Sequence, residues 1–266
     1  MNETLTKKRS NPITIKRLVF DASFCALATI LYIFLKIEGN LIPIFPNFLD
    51  INFSMIPIII CAFMLGPWDA GIAVIVRCLL KWLFVGSKTG YVGEVADILI
   101  GLAACIPAGL IYHKSKFKYK GLIALISVVV GWVLMGVLSN LFVNIPWYNS
   151  YYFHTNYYKD GISPAFVGLI KDAVKAISFG KVTDVTTGNF MLIYIIFSVI
   201  PFNIILSLII VLITAPVHHR LRPLYDMIGF KKKNKDFSDF EEKESSDETK
   251  EDTNNSSNIE DSNKEE

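Results

Sequence analysis

The residues with the most chemistry to offer stand inside long apolar runs. Arg77 and Lys81 lie four apart, and Glu94 and Asp97 lie three apart. On a helix each pair shares one face. Asn140 and Asn203 are their neutral counterparts. Charge at such a position marks either a structural ion pair or a functional site. Glu94 with Asp97 has the makings of an acid/base pair, yet no nucleophile or metal set accompanies it. A carboxamide in hydrocarbon is costly unless something bonds to it. Asn203, in the stretch "IPFNIILSLIIVL", therefore needs a partner, either a neighbouring helix or a ligand. Interhelical bonding is the plainer of the two.

Other motifs point away from catalysis. Gly180-Lys181 lacks the earlier glycine and the following Ser/Thr of a phosphate loop. There is no H-E-x-x-H and no G-x-S-x-G. His218-His219 suit a helix end, where a cation complements the dipole. Cys25, Cys61, Cys78 and Cys105 match no metal spacing and read as small apolar fillers. No metal or cofactor is expected, and no nucleic-acid partner.

The elements that must hold these residues are membrane spans. Of the 266 residues 52% are hydrophobic and 19% charged. The charge is uneven. Residues 236–266 hold 13 acids and 3 lysines, leaving 11 acids and 23 basic residues for everything before them. The body is thus basic and apolar, the tail acidic and expected to be disordered. Apolar runs of 18 residues or more read as spans; Met191–Ala215 is 25 residues without a charge. The fold class is an all-α membrane protein, a bundle of six transmembrane helices. The helices are expected at about 18–35, 52–65, 70–85, 92–112, 121–144 and 191–215. The basic N-terminus has no cleavage site of a secretory signal at short distance, so the first helix is read as retained. No internal repeat is evident.

Basic residues orient the bundle. They gather before helix 1 (Lys7, Lys8, Arg9, Lys16, Arg17), between helices 4 and 5 (Lys114, Lys116, Lys118, Lys120), and after helix 6 (Arg220, Arg222, Lys231, Lys232, Lys233, Lys235). Both termini are therefore placed in the cytoplasm, with residues 1–17 and 218–235 as basic flanks of a membrane domain at 18–217. The 1–2 connection, "KIEGNLIPIFPNFLD", is apolar and Pro-rich and could close over the bundle as a lid. The 5–6 connection, about residues 145–190, carries Trp147 and many tyrosines, first of all an interfacial belt. Within it, residues 164–179 have helical apolar spacing.

Four stretches resemble a known family: "DASFCALA", "FSMIPIIICAFMLGP", "GYVGEVADILIGLAACIPAGLIYHK", and the pair "SNLFVNIPWY" and "IPFNI". In this order they are similar to the substrate-binding S components of energy-coupling factor (ECF) vitamin transporters, most like the riboflavin-specific members, over roughly residues 16–222. The resemblance implies a six-helix bundle in a bacterial cytoplasmic membrane, with a ligand pocket near the extracellular face and high-affinity capture of riboflavin there. It also implies delivery through a membrane T component and two ATPase subunits that use the ATP, with no enzymatic activity in this chain. Asn140 and Asn203 align with family positions that touch the flavin, Trp147 and Tyr148 are the aromatics able to stack on it, and Glu94 and Leu49 complete the expected substrate-binding set. Ala22 and Ala26, a small-xxx-small pair on helix 1, would pack on the T component. Riboflavin members usually carry Asp where this chain has Asn52 and Met55, and Lys where it has Leu206. Another vitamin or heterocyclic precursor is the alternative; a membrane enzyme or a receptor without transport is a further one.

Overall fold

Helix α5 (Lys120–Ser139) shows how this chain divides its surfaces. Leu122, Ile126, Val130, Leu134 and Leu138 form an exposed apolar stripe at four-residue spacing, while Ala124, Val128, Trp132, Gly136 and Ser139 are buried. An outward apolar stripe of that length is unstable in water and is the lipid side of a membrane helix. In the computed structural model, residues 12–37, 50–87, 90–117 and 119–228 are described. Four helical stretches among them are long and apolar enough to cross a bilayer: Ile15–Phe34, Val92–Lys114, Lys120–Phe153 and Phe190–Leu221.

The elements run as follows. Helix α1 (Pro12–Phe34) leads into strand β1 (Lys36–Ile37), which pairs antiparallel with β2 (Ile51–Asn52). Helix α2 (Met55–Met64) is short and turns at Gly66 into α3 (Pro67–Val85). Helix α4 (Val92–Lys114) packs along α5. A π turn, Asn140–Asn144, joins α5 to α6 (Ile145–Phe153). Then come α7 (Tyr157–Asp160), α8 (Pro164–Ile177) and α9 (Phe190–Tyr194). A second π turn, Ile195–Val199, opens into α10 (Ile200–Ile228). One unit comprises Met1–His218; in the other, His219–Glu266, the described residues are helical.

Three differences from the sequence reading have physical causes. The fold is predominantly rather than wholly helical, because Ile51–Asn52 pairs with Lys36–Ile37 and delays α2 to Met55. Helix 5 does not end at Asn144 but continues through the π turn to Phe153. Helix 6 is likewise interrupted, and its last segment runs on to Ile228. The helix foreseen at 164–179 is present as α8, its Phe166, Val167, Ile170 and Val174 buried against Phe190 and Tyr194. Leu49, most of the 1–2 connection and the acidic tail lie outside the described residues.

The two π turns share a cause. Each immediately precedes an Ile-Pro pair, Ile145-Pro146 and Ile200-Pro201. A proline has no N–H to give, and its ring collides with the carbonyl four residues back. Widening the preceding turn relieves both: Ile145 N–H bonds Asn140 O and Ile200 N–H bonds Ile195 O, each five residues back. Such widened turns rotate the side chains around them and are frequent at functional sites.

Helices α4 and α5 meet at backbone distance. A Cβ on Gly131 would lie 2.2 Å from the carbonyl oxygen of Ala103. A Cβ on Gly136 would lie 2.7 Å from the carboxamide of Asn203, so that amide rests flat on the α5 backbone.

Candidate functional site

Those two features converge on one cavity of about 150 Å³. Helix α1 contributes Tyr32, the β1–β2 ladder Lys36, Asp50 and Asn52, and the end of α3 Lys81, Val85 and Gly86. Helix α4 contributes Gly93, Glu94, Ala96, Asp97 and Ile100, and α5 contributes Trp132. The first π turn and α6 add Asn140, Asn144 and Tyr148; α10 adds Phe202, Asn203 and Leu206.

Four carboxamides line it, all buried: Asn52, Asn140, Asn144 and Asn203. Asn140 Nδ2 donates to the Gly136 carbonyl at 2.8 Å, and Asn203 Nδ2 donates to the Val199 carbonyl at 2.8 Å. Each is a bond back along the residue's own chain, so neither amide needs a neighbouring helix or a solute to satisfy that donor. This corrects the expectation that Asn203 must look outward for its first partner. A carboxamide still has a second N–H and an oxygen with two lone pairs. Asn140 Oδ1 accepts from the Tyr194 hydroxyl at 3.3 Å. Asn144 Oδ1 is buried without a hydrogen-bond partner among the described residues. Such an orphan costs about 1–3 kcal/mol unless a further molecule meets it.

Two ion pairs hold the charged side, and a third cation, Arg77, keeps a buried Nε without a hydrogen-bond partner among the described residues. Lys81 is tied to Glu94, which also accepts from Ser87 Oγ at 2.7 Å. Lys36 meets Asp50 at 2.7 Å. Tyr32 donates to Asp97, and the Arg77 guanidinium lies 4.9 Å from the centre of the Tyr32 ring. Arg77 is fully buried and donates to Ser54 Oγ at 2.5 Å; Ser54 in turn donates to Asn52 Oδ1 at 2.6 Å. The four-apart pair on α3 thus serves two partners: Lys81 faces the cavity and Arg77 stands behind it. Three cations balance three carboxylates, which is how charge survives in a low-dielectric interior.

Of the residues singled out from sequence, Asn140, Asn203, Tyr148 and Glu94 line the same cavity. Trp147 does not. Neighbours on a helix diverge by about 100°, so with Tyr148 turned inward Trp147 faces away, 45% exposed and stacked on Tyr151. Ala22 and Ala26 are exposed on α1, away from buried Cys25, Ala28 and Thr29. Sequence reasoning missed Asn144, although its four-residue offset from Asn140 was available as a signal. It also missed Asn52, Tyr32, Trp132 and Phe202 as lining groups, because their approach depends on how separate elements pack.

Lipid-facing helices around a polar cavity define a helical membrane protein with an internal polar site. The matching family model is that of the substrate-specific component of ECF transporters, over residues 16–218, and the chain belongs to that family. Two relatives are named riboflavin transporters. RibU of Staphylococcus aureus (strain TCH60) is 28% identical over 208 residues, 77% of this chain and 90% of that protein. FmnP of Bacillus subtilis (strain 168) is 28% identical over 183 residues, 68% of this chain and 80% of that protein. A solved S component of a bacterial ECF transporter has the same fold, with TM-score 0.55 and 24% identity, covering 79% of this chain and 98% of that one.

Proposed function

We propose that this chain captures riboflavin and serves as the substrate-specific subunit for its import across a bacterial cytoplasmic membrane. One observation carries the reading. The carboxamides of Asn140, Asn144 and Asn203 converge on a single cavity walled by Tyr148, Trp132 and Phe202. A flavin ring is planar and apolar on its faces, with alternating acceptors and an N–H donor along one edge. Carboxamides donate and accept side by side, so they complement such an edge, and aromatic walls suit its faces. The names of the two relatives support the same ligand.

In this reading the chain crosses the membrane six times, with α2–α3 supplying the second and third crossings and both termini in the cytoplasm. The cavity opens to the outside. The exposed Ala22 and Ala26 face lets a T component approach α1 closely, and two ATPase subunits supply the energy. Leu206 favours a second reading. It lines the cavity where riboflavin members carry Lys, so the ring edge here loses a charged donor, and another vitamin or heterocycle becomes the competitor.

The test is direct. Purified protein should carry a yellow chromophore and should quench added riboflavin fluorescence at one site per chain. Protein that is colourless, and that leaves riboflavin emission unchanged while binding another vitamin in the same titration, would establish the competitor. Riboflavin uptake should require co-expression of a T component and an ATPase pair; uptake by this chain alone would refute the subunit role.

A further inference from the structure

Helix α6 carries two rows of aromatic residues at four-residue spacing. Trp147 stacks on Tyr151, ring centres 6.3 Å apart. Tyr148 meets Tyr152 at 5.7 Å. The rows touch where Tyr151 and Tyr152 pack edge to face at 5.0 Å. One end of this series is in the cavity: Tyr148 is a lining residue and only 5% exposed. The other end is at the surface, with Tyr151 50% and Tyr152 46% exposed. The rings thus run without a break from the protein surface to the cavity wall.

Their position at the rim is set by a second element. The turn before α4 holds Gly90 with φ +59. A Cβ there would stand 3.1 Å from the Tyr151 ring and 3.3 Å from Trp147 Nε1. Three residues further on, the same turn delivers Gly93 and then Glu94 to the cavity. The outer aromatic pair and the cavity wall are therefore anchored to one stretch of backbone.

We propose that Tyr151 and Tyr152, backed by Trp147, form an encounter platform on which the planar ring of the incoming ligand stacks before it passes Tyr148 into the cavity. This rests on the reading that the cavity takes a planar heterocycle, and deepens it by naming how that ligand arrives. Ring-on-ring contact tolerates many orientations, which is what a first contact requires, whereas the carboxamides inside demand one. A group that acts only on the route stabilises the passage equally in both directions. Its removal slows capture and release together and leaves the affinity unchanged.

The experiment is stopped-flow quenching of riboflavin fluorescence with the full chain and the Tyr151→Ala/Tyr152→Ala variant. Both kon and koff should fall by about tenfold, as expected for losing about 1.4 kcal/mol of stacking, with Kd within about twofold of the parent. Tyr151→Phe/Tyr152→Phe should restore both rates, because the ring and not the hydroxyl acts. Phe179→Ala, at an exposed ring outside both the aromatic rows and the cavity lining, should change neither. A rise in Kd carried by koff alone would make the tyrosines contacts of the bound state and overturn the platform. Unchanged rates, or lower thermal stability without a rate effect, would leave these rings as a membrane-interface belt and overturn it too. A parent chain that binds no riboflavin overturns the flavin reading as well; a parent that binds, with rates indifferent to these rings, overturns only this one.

Discussion

Replacing Gly136 by alanine should disable Asn203 without touching it. The added Cβ would lie 2.7 Å from Asn203 Cγ and Oδ1 and 2.8 Å from Nδ2. Ordinary contacts of a Cβ begin near 3.4 Å, so the amide must retreat by about 0.7 Å or turn. Either movement breaks its 2.8 Å bond to the Val199 carbonyl and takes its free edge away from the cavity. Losing one well-placed hydrogen bond to a buried ligand costs about 1–3 kcal/mol, or roughly tenfold to a hundredfold in Kd. The fold should survive. Overpacking costs about 1–3 kcal/mol, and replacing glycine within a helix returns about 1 kcal/mol of it. The assay is a riboflavin quenching titration on Gly136→Ala, Asn203→Ala and the double variant, with Gly168→Ala as control, since a Cβ there meets nothing within 4 Å. If Gly136→Ala acts through Asn203, it should add nothing in the Asn203→Ala background. Parental affinity in Gly136→Ala, or a full second loss in the double variant, refutes the assignment of Asn203 to the ligand.

Gly131→Ala should be far more damaging to the fold than Gly136→Ala, because its Cβ would meet the Ala103 carbonyl oxygen at 2.2 Å and that backbone cannot swing aside; loss of a monodisperse peak in detergent, or a thermal midpoint many degrees lower, would show it. A phosphorylated flavin should bind about tenfold to a hundredfold more weakly than riboflavin, since Lys36 and Lys81, the cations among the described residues that line the cavity, are already committed to Asp50 and Glu94; equal affinities in competition titrations would contradict that balance. Ala22→Leu with Ala26→Leu should leave riboflavin titration unchanged while abolishing co-purification with a T component and uptake, because bulk on an exposed small-residue face keeps a second helix away; a retained complex would remove that face from the interface.

Much of this molecule is legible without coordinates. Runs such as Met191–Ala215 can only be stable as backbone-satisfied helices in lipid, and the charged pairs on α3 and α4 announce themselves by violating that setting. Asn140, Asn203 and Glu94 stand out as polar groups where an apolar one is cheaper, Tyr148 as an aromatic able to stack on a planar ligand, and the four line one cavity. What stayed hidden was partner choice. Arg77 and Lys81 look equivalent on a helical wheel, yet one lies behind the Tyr32 ring and the other faces the cavity. Trp147 and Tyr148 look like one aromatic unit, yet they point apart.

From composition and order alone came a helical membrane body, a basic flank, an acidic tail and the residues too polar to be idle, because hydropathy and charge act locally and leave a one-dimensional trace. The meeting of Asn140, Asn144 and Asn203 had to await packing. Two prolines force π turns that rotate their neighbours, Gly131 lets the α4 and α5 backbones close together, and Gly136 leaves room for the Asn203 carboxamide. Which side chains then face one another is a property of three-dimensional register, and no spacing along the chain encodes it.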